Sequence, residues 1–159
     1  MKTLFILIGP KGAGKTHIGT VVDAHTGIKF LSVEPIWIDH LQTKDRDGWD
    51  ILEEEIDRLF RSNNKVMIES LGAGEDFAKF YQSLKNKYHI KFIKVEYALD
   101  KCLERVITRD STVHIPISAD KVQEYNKIAA QVSYNWDLVI DNNSPASDLE
   151  IIQAIQAIE

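Results

Sequence analysis

The chain has 159 residues, enough for one domain of ordinary size and little more. Hydrophobic residues make up 44% and charged residues 27%, a balance that excludes a disordered chain. With 19 basic against 24 acidic side chains, the net charge of -5 excludes a general attraction for nucleic acid, and the single cysteine, Cys102, excludes an internal disulfide and a cysteine-only metal cage.

The run Leu4 to Ile8 is continuously apolar, as expected of a parallel strand covered on both faces. It passes straight into glycines with no small-residue cleavage site, so it reads as a strand and not as a signal peptide. A helix is expected from about Lys15, and Lys29 to Val33 is a shorter strand candidate. Trp49, Leu52, Ile56, Leu59 and Phe60 form a helical stripe that stops at Arg61-Ser62-Asn63-Asn64. Strand texture returns at Lys65 to Ile68, Ile90 to Val95 and Asp137 to Ile140. Between these lie a helix capped by Asp76 with Phe77, Phe80, Tyr81 and Leu84 inward, and one capped by Asp100 that buries Leu103, Val106 and Ile107. A longer helix after Ser118 carries Val122, Tyr125, Ala129 and Val132, and a last one carries Leu149, Ile152 and Ile155. This alternation predicts one domain over 1–159, a three-layer α/β/α sandwich on a five-stranded parallel sheet. No stretch approaches the roughly 20 apolar residues of a membrane span, and a cytoplasmic protein without membrane partners is expected.

Gly9-Pro10-Lys11-Gly12-Ala13-Gly14-Lys15-Thr16 fits the phosphate-loop pattern G-x-x-x-x-G-K-[ST], after a strand and before a helix as the mechanism requires. By chance the bare pattern occurs in about one chain of this length in a few hundred. Glycines let the backbone turn tightly and aim N–H groups at an anion, and the following helix adds its positive end. The loop and the adjoining His17 are therefore expected to hold a nucleotide, with Lys15 on its β- and γ-phosphates and the Thr16 hydroxyl on its Mg2+. No Asn-Lys-x-Asp reads guanine, which argues against a regulatory GTPase. The third strand ends in a lone acid, Glu69, a weak version of the acidic pair of motor ATPases that still serves as a metal candidate.

Three segments resemble the nucleoside monophosphate kinase-like group of phosphate-loop kinases, which includes shikimate kinase, gluconate kinase and the zeta-toxin-type kinases. They are GPKGAGKTHIG, TGIKFLSVEPIW and CLERVITRDSTVHIPISADKVQEYNKIA. The resemblance implies a P-loop NTPase fold with a short lid over about 109–120 and an ATP- and Mg2+-dependent kinase. The acceptor would be a small hydroxyl- or phosphate-bearing metabolite. Glu34 lies where many members place an aspartate that orients the acceptor hydroxyl and takes its proton. Arg105 and Arg109 share a helix face, and the resemblance puts Arg109 on the transferring phosphate and Arg105 on the adenine side. Asn142 falls where relatives contact adenine. Trp37, Gly72 and Gly74 fall where relatives line the acceptor pocket, and His114 is a possible donor in the lid. Shikimate kinase has two aspartates one residue apart where this chain has Ser32-Val33-Glu34, so shikimate is a poor acceptor. A nucleoside or nucleotide kinase using Trp37, His40, Lys44 and Arg46 stays open. So does a non-catalytic ATP-binding module. Monomer and homodimer are equally compatible with the sequence.

Overall fold

Six consecutive buried residues, Thr3–Ile8, make β1, the central strand of the sheet. The computed structural model describes residues 1–43, 45–109 and 117–159. The remaining strands are β2 (Lys29–Leu31), β3 (Lys65–Ser70), β4 (His89–Glu96) and β5 (Trp136–Asp141). They stand in the order β2-β3-β1-β4-β5, and every pair is parallel. The helices are α1 (Lys15–His25), α2 (Glu34–Thr43), α3 (Gly48–Leu59), α4 (Glu75–Lys85), α5 (Leu99–Thr108), α6 (Ala119–Gln131) and α7 (Asp148–Gln156). The three-layer sandwich expected from the alternation is what the chain builds.

The alternation of side chains along β1 splits the interior in two. Leu4, Ile6 and Ile8 join Leu52, Ile56 and Phe60 of the α3 region and Phe77, Phe80 and Leu84 of α4. Phe5 and Leu7 join Ile18 and Val22 of α1 and Ile151 and Ile155 of α7 on the other face. Each such fully buried side chain contributes roughly 1.5–3 kcal/mol. Because β1 is buried on both faces, its carboxyl end is fixed from above, below and both sides. Register pairs Ile8 with Ser70 of β3 and with Lys94 of β4. The loop that leaves β1 therefore starts from the most constrained point of the molecule.

Several local details differ from the sequence reading. The second strand stops at Leu31, and Glu34 opens a helix, α2, instead of ending a strand. Pro35 sits in the first turn of α2, where its missing N–H has no intrahelical partner to lose. The cap of α4 is Gly74 and that of α5 is Ala98, with Asp76 and Asp100 inside the first turns. There the two acids favour the helix through its dipole and not through a capping bond. Ser118 does cap α6, accepting from Lys121 N at 3.3 Å, and Asn63 closes α3 by donating to Leu59 O at 2.8 Å. The inward face of α5 is set by buried Cys102, with Leu103 and Val106 half-buried and Ile107 61% exposed. On α7 the buried residues are Ile151 and Ile155, while Leu149 is exposed. On α6, Tyr125 is exposed and its neighbour Asn126 is buried. Most of the expected lid, with His114, and Lys44 lie outside the described residues. No helix among the described residues is long and apolar enough to cross a membrane.

Gly19 shows how closely α1 lies on the sheet edge, since a Cβ there would stand 2.4 Å from the Phe30 ring of the β2 strand. Gly19→Val should destabilise the fold by about 1–3 kcal/mol in urea denaturation, through overpacking. Gly27, with open space around it, is the control. Gly27→Ala should stay within about 0.5 kcal/mol of the parent.

Candidate active site

Between β1 and α1 the chain turns through Gly9 to Gly14, with Gly12 at φ 88° and Gly14 at φ 98°. Positive φ favours glycine at both places. Space demands it as well: a Cβ on Gly9 would stand 2.5 Å from Val95 O, and one on Gly12 2.5 Å from Cys102 O. The loop is thus pressed against β4 and the start of α5.

Each carbonyl of the loop from Gly9 to Gly14 accepts a hydrogen bond. Lys15 Nζ donates to Gly9 O at 2.5 Å and Pro10 O at 2.8 Å. Asn126 Nδ2 donates to Lys11 O at 3.0 Å, and Asn126 Oδ1 accepts from Lys11 N at 2.7 Å. Arg105 Nη1 donates to Gly12 O at 3.3 Å, and Asn142 Nδ2 donates to Ala13 O at 2.6 Å. Ile18 N donates to Gly14 O at 3.1 Å. With its oxygens tied down, the loop presents the first turn of α1 to the cavity that Lys15 and Thr16 line. The amides of a first helical turn lack intrahelical acceptors and carry the positive end of the helix, so they suit an anion.

That cavity holds about 510 Å³ and is lined by the loop from Lys11 to Thr16 together with Glu34, Glu69, Arg105 and Arg109. Lys11, Lys15, Glu34, Glu69 and Arg109 share one electrostatic field. Lys11 is pushed below the usual lysine range by burial, against which Glu34 pulls upward, Arg109 downward and Glu69 upward. Lys15 is pushed down to about 8, chiefly by burial, with Glu69 opposing. Glu69 is pushed up by burial, opposed by Lys15 and by the hydrogen bond it accepts from Thr16. Arg109 Nη2 lies 3.9 Å from Glu34 Oε1, with both side chains mostly buried.

Three atoms in this site have no hydrogen-bond partner among the described residues although they are buried: Glu69 Oε1, Arg109 Nε and Arg109 Nη2. Leaving a charged group's donors or acceptors buried and unmade is expensive, so each marks a place for something else. The guanidinium donors suit phosphate oxygens. The carboxylate oxygen, beside the Thr16 hydroxyl held at 2.8 Å by Glu69 Oε2, suits a hard cation. No group of three or more His, Cys, Asp or Glu side chains able to hold a metal occurs among the described residues. Thr16 and Glu69 therefore fit Mg2+, which keeps waters and borrows phosphate oxygens, better than a cation that needs a full protein cage.

The strand order, the parallel sheet and the loop at the end of the central strand decide the architecture. The fold is that of a phosphate-loop NTPase. No protein-family model matches the sequence, and no curated protein matches it by sequence. Solved structures match throughout. A protein from Chloroflexus aurantiacus superposes with a TM-score of 0.72 at 14% identity, over 99% of this chain and 98% of that one. Shikimate kinase from Acinetobacter baumannii, in complex with shikimate, gives 0.62 at 16% identity over 99% and 92%. A gluconokinase from Sinorhizobium meliloti gives 0.61 at 17% identity over 98% and 90%. The structural neighbours are phosphate-loop kinases of the shikimate and gluconate kinase type.

Of the residues singled out from sequence, the fold brings Lys11 to Thr16, Glu34, Trp37, Glu69, Arg105 and Arg109 around the one cavity. Arg105 stacks on Tyr97, 4.2 Å from the ring centroid, while holding the loop. Gly9, Pro10 and Asn142 shape the loop from outside that cavity. His17 is exposed and its ring pairs with Asp148 at 3.2 Å, so its side chain faces α7. Gly72 and Gly74, at φ 72° and 94°, form the turn after β3, but Leu71 and Ala73 supply the cavity wall there. Gly72 instead lets the chain pass Ile8, whose Cγ2 a Cβ would meet at 2.7 Å. Asn126 was missed. Its signal was a polar residue on the helical stripe between Val122 and Ala129, where a core residue belongs.

An incoming polyphosphate favours the charged form of Lys15 and so raises its pKa from about 8. Binding at pH 8 should then take up about half a proton, and affinity should fall as pH rises through 8. Calorimetric titration of ATP in buffers of different ionisation enthalpy measures the uptake. It should be smaller in Lys15→Arg, whose guanidinium does not titrate in this range.

Proposed function

We propose that the protein is an ATP- and Mg2+-dependent kinase that transfers the γ-phosphoryl group to a hydroxyl of a small molecule. The observation that carries this reading is the pairing of Glu34 with Arg109 beside the phosphate loop, with two guanidinium nitrogens buried and without hydrogen-bond partners among the described residues. A module that only binds a nucleotide has no use for a carboxylate and a buried guanidinium at the place where a γ-phosphate would end. The kinase names of several structural neighbours agree.

The residues divide the work. Thr16 and Glu69 would hold Mg2+, which would offset the charge on the phosphate oxygens. Lys15 uses two of its N–H donors on Gly9 O and Pro10 O and turns the third to a phosphate oxygen, and Arg109 donates to the group in transfer. Glu34 holds the acceptor hydroxyl in line and takes its proton. The acceptor oxygen bonds to the γ-phosphorus as the bond to the β,γ-bridging oxygen breaks, and ADP leaves. Arg105 and Asn126 act on the loop and not on the reacting atoms. Adenine selection, a cytoplasmic location and a small-molecule acceptor as the partner belong to the same reading.

Replacing Glu34 with Gln should lower kcat by about 10²-fold or more while ATP affinity is retained. Radiolabelled ATP with a panel of alcohols, sugar acids, nucleosides and nucleotides provides the assay. Tight ATP binding with no label on any acceptor, and basal ATP turnover unchanged in Glu34→Gln, would overturn the assignment.

A further inference from the structure

The cavity is two surfaces joined at α2. One is the charged group of Lys11, Glu34, Glu69 and Arg109 described above. The other is aromatic and aliphatic, with Trp37, Trp49, Phe80 and Leu71 in its wall. The aromatic side is a built surface. Trp49 stands 5.0 Å from Trp37 and 5.1 Å from Phe80 between ring centroids. A Cβ on Gly48 would come within 2.0 Å of the Trp37 ring, so the indole lies directly on bare backbone at the start of α3. Trp37 and Trp49 are only half-buried, and part of their remaining surface is cavity wall.

Two of the hydroxyls that line the cavity already have protein partners. Ser70 Oγ accepts from Gly72 N at 3.0 Å, and the Thr108 hydroxyl donates to Glu104 O at 3.0 Å. A ligand with hydroxyls all round its carbon skeleton would strip water from several of them here and regain few partners. A flat apolar ring loses nothing and gains contact with the indoles. Glu34 and Trp37 are three residues apart on one helix, neighbours on its surface. A ring held against Trp37 therefore puts a hydroxyl on a short arm within reach of the carboxylate.

We propose that the acceptor is an alcohol carried on a short arm by a flat apolar ring, and that Trp37, Trp49 and Phe80 select it over polyols and sugar acids. This rests on the kinase reading of the same cavity, and two arms keep the two claims apart. In the binding arm, the protein saturated with Mg2+ and the non-hydrolysable analogue AMPPNP is titrated with 2-phenylethanol, sorbitol or gluconate by saturation-transfer NMR. In the transfer arm, the same three alcohols are offered with labelled ATP.

2-Phenylethanol should bind at least about tenfold more tightly than either polyol. Trp49→Leu should weaken it about fivefold or more, whereas Trp49→Phe should keep most of the affinity. Should Trp49→Leu fail to fold, Trp49→Phe and Phe80→Leu make the same comparison, with the loss expected only in the second. Equal or tighter binding of sorbitol or gluconate overturns the inference, as does ring binding indifferent to removal of the aromatic wall. Ring binding without transfer to the ring alcohol overturns the claim that it is the acceptor, while the kinase reading is decided separately by the wider acceptor panel and Glu34→Gln. Transfer to sorbitol or gluconate in preference to the ring overturns the inference and leaves the kinase reading standing.

Discussion

The site depends on where six peptide oxygens point. A peptide that turns its oxygen toward a phosphate repels it, and one that turns its N–H attracts it, so an anion site must dispose of its carbonyls first. In this protein they are taken up by Lys15, Asn126, Arg105, Asn142 and the backbone of Ile18. Three of those donors come from α5, from α6 and from the turn after β5. The glycines make the path possible, but the side chains decide which way each peptide faces.

Function here is held against stability. Burial pushes Lys15 down and Glu69 up, each toward its neutral form, and their mutual attraction offsets only part of that. Arg109 has two buried nitrogens without hydrogen-bond partners among the described residues. On the proposed reading, a polyphosphate with its cation would supply what all three lack: negative oxygens for the lysine and guanidinium, positive charge for the carboxylate. Buried charges with incomplete partners are the distribution of energy expected of a site and not of a core.

Legibility followed the range of the interactions. The phosphate loop needs only eight consecutive residues and a strand before it, so it was readable at once. The inner strands were readable because burial on both faces writes a continuous apolar run, and the edge strands β2 and β5, half-exposed, were readable only as shorter apolar stretches. Glu34 was readable as a candidate although its setting was not. The helix that begins there buries no residue completely and so writes no clear apolar stripe, and the sequence reading made no use of Pro35, which suits a first turn. Asn126 and the aromatic wall were hidden for a different reason. Trp49 and Phe80 sit on amphipathic stripes that pack against the sheet as well as facing the cavity, and a stripe does not say which of its members keep a free edge. On α7 the stripe was read one phase out, with Leu149 for Ile151, because Ile151, Ile152 and Ile155 allow two neighbouring faces.

The loop's oxygen partners stand far along the chain. Gly12 waits for a residue 93 positions later, Lys11 for one 115 later and Ala13 for one 129 later. As the polypeptide emerges amino end first, the glycine turn is made early and stays without its stays until the last strand has been synthesised. A nascent chain that stops before β5 thus lacks Asn142, and the Ala13 carbonyl of its glycine turn is still without that partner.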